Sequence, residues 1–144
     1  MPDAFVVDTS VFVRWFLEQV GYEHAREVRA RFLAGALRLE TVDCVRFELG
    51  HVLRTRGLLL GRLDGKEYVA ATRAIDDLGV AVQITDVDAL ESASELAWRR
   101  NLRFFDAVLV HRAMERGIPL LTSDRKLATA VGTLAPIELL RGVP

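Results

Sequence analysis

The chain has 144 residues, 51% of them hydrophobic, and its 19 Lys plus Arg against 20 Asp plus Glu give a formal net charge of −1. This suits one domain, residues 1–144, around one core; it excludes a disordered tail or linker, and it excludes binding of nucleic acid by bulk positive charge alone. Cys44 stands alone, which excludes an intrachain disulfide and a cysteine-based zinc site, no apolar run reaches the roughly 18 residues of a membrane span, and the start of the chain has no basic segment leading into an apolar one, so a cytoplasmic protein is expected.

A first strand is predicted over about Ala4 to Asp8, then a short helical piece from Val11 to Leu17 and a longer helix from Tyr22 to Ala34, ended near Gly35. Leu37 to Thr41 reads as a second strand. Val45, Leu49, Val52 and Leu53 recur at helical spacing and place a helix over Val42 to Arg56. Asp64 to Leu78 is helical and stops at Gly79; Val80 to Ile84 is the clearest strand of the middle region. Asp86 or Asp88 caps a helix from Val87 to Arg99. A helix from Phe105 to Arg116 ends at Gly117 and Pro119, a strand covers Ile118 to Thr122, a short helix follows from Ser123 to Ala130, and Ile137 to Leu140 forms a last edge strand. Strands alternate with helices, so the expected fold is α/β, with a parallel sheet and helices on both faces. Sites in such sheets lie beyond the carboxyl ends of the strands.

Four acids stand where such a site would form. In FVVDTS, Asp8 arrives as an apolar strand ends. In VRFELGHVL, Glu48 sits on the flank of the apolar helix stripe, about 80° from its centre. Asp106 follows Phe104 and Phe105, whose bulk points to partial burial, and opens a helix; Asp124 follows an apolar strand in PLLTSDRKLA. Each has a bland explanation. Asp8, Asp106 and Asp124 are placed as helix N-caps, with Ser123 a rival for the last, and Glu48 as a solvated helix edge. Taken together they point elsewhere: carboxylates converging in one cleft repel unless a cation neutralises them, and clustered oxygen ligands suit Mg²⁺ or Mn²⁺. Ser10 and Thr122 or Ser123 would add hydroxyl donors. Arg14, Arg103, Arg125 and Lys126 flank these motifs and are candidates for phosphate contacts, the alternative for each being an ordinary solvated side chain.

DTS at 8–10, FELGHVL around Glu48, RFFDAVLVHRA around Asp106 and LLTSDRKLA around Asp124, in this order, resemble the PIN-domain nucleases, and among them the VapC-type toxins of toxin–antitoxin pairs. The resemblance covers almost the whole chain. It implies a three-layer α/β/α fold around a parallel sheet of four or five strands, and Mg²⁺- or Mn²⁺-dependent ribonuclease activity leaving a 5′-phosphate and a 3′-hydroxyl. Position by position, Asp8, Glu48, Asp106 and Asp124 match the acidic metal ligands and catalytic residues; Ser10 and Thr122 match the small polar residues that support them. Phe105 stands where the family frequently has Tyr, which removes a hydroxyl and leaves the carboxylates. The resemblance also implies a homodimer, an antitoxin partner, and an RNA substrate such as tRNA or rRNA.

Two other functions compete. An Mg²⁺-dependent phospho-acceptor or phosphatase domain also uses an Asp after the first strand, but Ser10 stands where a dehalogenase-type phosphatase has its second Asp, and Asp3 lies at the wrong end of the strand for a response regulator's acidic pair. A catalytically inactive RNA- or protein-binding PIN domain would be marked by loss of one of the acids, and all four are present. Metal-free acid–base catalysis by His24, His51 or His111 is set aside, since all three fall on predicted helices away from strand ends. Trp15, Trp98 and most of Leu58–Leu60 read as packing residues.

Overall fold

The computed structural model describes residues 2–144. β1 (Ala4–Val7) is buried at every position. Its AFVV is an unbroken apolar run, as a strand covered on both faces requires. The chain continues through α1 (Thr9–Phe16), α2 (Tyr22–Leu33), β2 (Arg38–Val42), α3 (Cys44–Leu53), a π turn (Arg54–Leu58), α4 (Gly65–Asp77), β3 (Ala81–Gln83), α5 (Val87–Arg100), α6 (Phe104–Arg116), β4 (Leu120–Thr122), α7 (Arg125–Val131) and β5 (Ile137–Leu139).

The sheet has the order β3-β2-β1-β4-β5 and every pairing is parallel. Val6 is in register with Glu40 on one side and Leu120 on the other. Parallel neighbours need crossover connections, and helices supply them. α1 packs on α2, α3 and β4, and α3 on α4 and β2; α5 packs on α6, which lies across β1, β2 and β4. The result is the three-layer α/β/α arrangement expected. From β1 the sheet grows one way through β2 and β3 and the other way through β4 and β5, so the crevice of the fold opens at the carboxyl ends of β1 and β4. Val6, Val7, Phe12, Leu49, Leu53, Leu120 and Leu121 are completely enclosed beneath it.

Several elements differ from expectation for local reasons. Val42 closes β2, paired with Gln83, instead of opening a helix. Asp43 ends the strand: its carboxylate accepts the Cys44 N–H (3.0 Å), the Thr85 N–H (3.1 Å) and the Thr85 hydroxyl (2.6 Å), so α3 starts at Cys44. The predicted continuous helix to Arg56 changes at Leu53 into the π turn, where the Leu59 N–H reaches back five residues to the Arg54 carbonyl (2.9 Å). The mid-chain strand shrinks to Ala81–Gln83 at the sheet edge. Trp15 is buried, with its indole N–H on the Ala25 carbonyl (3.0 Å), but Trp98 is 76% exposed because α5 turns only small residues such as Ala93 fully inward. Leu59 and Leu60 lie in the bend before α4 and are also exposed, not core. Between the two candidate caps of α5, Asp86 holds the position and accepts the Ala89 N–H (2.8 Å). No helix among the described residues is long and apolar enough to cross a membrane.

His24 is a structural histidine. It is buried on α2, and its Nδ1 accepts the Arg141 N–H (2.8 Å), tying the end of the chain to that helix. Burial, followed by the nearby Arg141 charge, holds its pKa below the ordinary imidazole value. A folded-state pKa below the unfolded one adds stability above about pH 6.5, and this is lost as pH falls through the folded value. Thermal melts of the wild type should therefore lose more on acidification from about pH 7 to about pH 5 than melts of His24→Gln, which keeps an acceptor without a titration; equal losses would show that the ring carries no such linkage.

Candidate active site

Asp8 occupies the N-cap position of α1 in extended backbone, yet its side chain makes no cap hydrogen bond. The hydroxyls of Ser10 (2.8 Å) and Thr122 (2.7 Å) both donate to its Oδ2 instead. The Ser10 oxygen in turn accepts the Ser123 N–H (3.1 Å), and the Thr122 oxygen accepts the Asp124 N–H (3.1 Å). A hydroxyl has one proton, so each of these is committed to Asp8 while a lone pair is held by backbone. Asp8 is 6% exposed. Burial pushes its carboxyl above the ordinary range; the Thr122 and Ser10 bonds pull the other way, and the charge of Glu48 adds to the rise.

Asp106 is not an N-cap either. α6 starts at Phe104 with Arg103 in the cap position, which sets Asp106 in the first turn. Its burial comes from the sheet beneath α6; Phe104 and Phe105 are 42% and 46% exposed and shield it less than their bulk suggested. Glu48 is half-buried on α3, not a solvated edge. Arg103 spans the two acids, with Nη2 3.5 Å from Glu48 Oε2 and Nε 3.3 Å from Asp106 Oδ2, while its own side chain is 70% exposed. Asp124 does cap α7, accepting the Leu127 N–H (3.1 Å), so for it the simple explanation holds alongside its place in the site.

The four acids and Ser10 line one cleft of about 450 Å³, and Thr122 is fully buried under its floor. Arg14, Arg103, Arg125 and Lys126 line the same cleft. The four acids, the two supporting hydroxyls and the four candidate phosphate contacts therefore gather at this end of the sheet. Arg56 also lines the cleft and was missed; a signal was present, since it falls on the stripe of Glu48 and Val52 at successive spacings of four. The thiol of Cys44, close to this group, is pushed up to about 11 by burial first, with Asp43 and Glu48 adding. Neither His51 nor His111 lines the cleft.

The concentration of charge has a measurable consequence. Asp106 is pushed up to about 6, by burial above all, against the pull of Arg103, with Asp8, Asp124 and Glu48 each adding repulsion. Asp106 thus feels all three of the other acids. The four stop short of a closed cage: among the described residues no group of three or more His, Cys, Asp or Glu side chains is set to hold a metal ion as it stands, and Arg103 lies against two of the acids. The donors are nonetheless all hard oxygens with surplus negative charge, and the Thr9 hydroxyl, buried at the cleft, has no hydrogen-bond partner. That set fits a hard divalent cation and not a soft one.

The sequence pattern of the PIN domain matches residues 5–132. The chain belongs to the PIN domain family. Solved structures with the same fold include VapC20 of Mycobacterium tuberculosis, described as a sarcin–ricin loop cleaving toxin (TM-score 0.72, 21% identity, covering 88% of this chain and 94% of that one). PAE2754 of Pyrobaculum aerophilum is similar over 95% of this chain and 92% of its own (TM-score 0.63, 23% identity). A member of the VapBC family of toxin–antitoxin systems, VapBC-5 of M. tuberculosis, matches over 97% of this PIN domain and 99% of its own chain (TM-score 0.62, 21% identity). No curated protein sequence matches the chain.

An acid whose folded pKa is raised destabilises the fold at pH values above its unfolded pKa, where the unfolded state is already ionised. Asp106→Asn should therefore melt higher than wild type near pH 7, by about 1–2 kcal/mol of added stability, since loss of the Arg103 pairing offsets part of the gain. Thr122→Val should go the opposite way and lose about 1–3 kcal/mol, because it strips Asp8 of a donor and the Asp124 N–H of its acceptor. Denaturant unfolding of the two variants checks both signs.

Proposed function

We propose that this PIN domain, taken as a single unit over residues 1–144, is the toxin of a toxin–antitoxin pair and acts as an Mg²⁺- or Mn²⁺-dependent ribonuclease. The observation that carries the reading is the buried Asp8 carboxylate at the crevice of a parallel sheet, joined there by Glu48, Asp106 and Asp124 from three other elements. Family membership and the toxins among the structural neighbours support it.

In this reading Asp8, Glu48, Asp106 and Asp124 hold the divalent ion, which when bound polarises a phosphodiester and acidifies a water. The chain's own side chains do the rest. Ser10 and Thr122 keep the Asp8 oxygens from rotating, because their protons have no other acceptor. Arg103 is exposed and held at 3.3–3.5 Å, so it leaves the carboxylates at little cost and becomes a donor to a backbone phosphate. Arg125 and Lys126, in the first turn of α7, and Arg14, in the last turn of α1, supply further positive charge around the acidic floor.

A phospho-acceptor reading draws on Asp8 and Lys126 sharing the cleft. It sits poorly with a carboxylate 6% exposed and doubly bonded through one oxygen, since an acceptor Asp must be open to in-line attack. The partners that fit the ribonuclease reading are an RNA substrate, tRNA or rRNA, an antitoxin as a separate chain, and a second copy of the toxin in a homodimer, all in the cytoplasm.

Purified protein should cut bulk tRNA or rRNA with Mg²⁺ or Mn²⁺ and stop with EDTA, and Asp8→Asn or Asp106→Asn should reduce cleavage at least about a hundredfold. Mn²⁺ should raise the melting temperature of the wild type and not of Asp8→Asn. Full cleavage by both variants, or by wild type in EDTA, would overturn the mechanism.

A further inference from the structure

Arg56 and Arg14 form a pair that the acidic centre does not explain. Both line the cleft. Arg103 is engaged by carboxylates, but no acidic side chain among the described residues forms an ion pair with Arg14 or Arg56. Arg14 is part-buried and fixed by two carbonyls: its Nε donates to Val20 (2.6 Å) and its Nη1 to Ser10 (2.8 Å). A guanidinium has five N–H donors, so several stay free. Arg56 is close enough for its charge to disfavour the charged form of Arg14, second only to burial, with Asp8 acting the other way. Two like charges brought together at a cleft, one of them pinned, are a standing invitation to an anion.

The backbone under Arg56 is built for this placement. At 3.6 residues per turn, positions four apart drift about 40° around a helix per step. Glu48, Val52 and Arg56 therefore stay within about 80° of one another along the helix, and Arg56 lies inside the π turn at Arg54–Leu58, which is wider than an α turn. Gly57 permits it: a Cβ there would lie 2.8 Å from Leu63 Cδ1 and 3.1 Å from its Cγ, and Leu63 is buried. Arg54, in the same turn, is exposed as Arg56 is, but does not line the cleft.

We propose that Arg14 and Arg56 together clamp a backbone phosphate of the RNA other than the one being cut, so that the π turn sets how the substrate strand leaves the acidic centre. The proposal rests on the ribonuclease reading and adds to it a second phosphate site, with Arg56 as a binding residue and Gly57 as a positioning residue. A guanidinium pair suits the non-bridging oxygens of a phosphodiester, and charge-assisted bonds to them are the strong kind.

The test is binding, measured without cleavage. A short fluorescein-labelled single-stranded RNA of mixed sequence is titrated in EDTA across a range of salt, using wild type, Arg56→Gln and Arg54→Gln. Arg56→Gln should weaken binding about tenfold and lower the dependence on log salt by about one unit, whereas Arg54→Gln, with the same loss of charge, should stay within about twofold. A series of the same RNA with one neutral methylphosphonate at successive positions should contain a position that weakens wild type and leaves Arg56→Gln unchanged. If wild type binds and Arg56→Gln matches Arg54→Gln in affinity and slope, the clamp is wrong while the ribonuclease reading stands. If wild type binds no RNA under any of these conditions, the clamp falls, while the ribonuclease reading stands or falls by the Mg²⁺-dependent cleavage assay.

Discussion

A carboxylate enclosed at the end of the central strand governs this molecule. Asp8 is 6% exposed at the cleft, and a buried charge left unpaired would cost several kcal/mol. Two hydroxyls answer it, one from the start of α1 and one from the end of β4. Each of these is itself locked by a backbone N–H at the entrance to α7. Two junctions of the fold, β1–α1 and β4–α7, are thereby tied to one oxygen. The pairing of Val7 with Leu121 places Thr122 beside Asp8, so the register of the sheet and the geometry of the site are the same fact. The buried Thr41 hydroxyl, bonded to the Val7 carbonyl (2.8 Å), secures the other side of the same strand end.

The hydrogen bonds do not discharge the whole electrostatic penalty. Asp8 remains above the ordinary carboxylate range and Asp106 is carried up to about 6, each through burial first and neighbouring acids after. A fold selected for stability alone would replace such groups by neutral ones. In the metal-dependent reading proposed above, their presence trades stability for the ability to attract cations; arginine and lysine side chains line the same cleft. Arg103 already acts as a local counter-ion to two acids, whereas Arg14 is anchored to two carbonyls. Positive charge in the cleft therefore comes in two kinds, one paired with the protein's own acids and one held by backbone.

The topology makes the arrangement available. β1 lies at the centre of the sheet, and the strands added after it go to either side, so helices from both faces meet at the carboxyl end of the β1–β4 pair. α3 brings Glu48 from one layer and α6 brings Asp106 from the other, while α7 contributes Asp124 as it caps its own first turn. Residues separated by more than a hundred positions end up sharing one proton network.

Periodicity and punctuation made most of the elements legible in the chain: apolar runs marked β1 and β4, helical spacing marked α3 and α6, and the order of four acids pointed to the family. These are local patterns, and local patterns survive in one dimension. What stayed hidden depended on neighbours remote in sequence. Asp8, a natural N-cap by position, is drawn off its helix because Thr122 stands beside it; Trp98 faces outward because α5 meets α6 through small residues; and Arg56 lines the cleft from a wide turn whose Gly57 packs closely on Leu63. The candidate site residues could be picked out by their order, but their burial, the repulsion Asp106 feels and the ion pairing of Arg103 could not, because those arise from distances that exist once the strands have paired and the helices have packed.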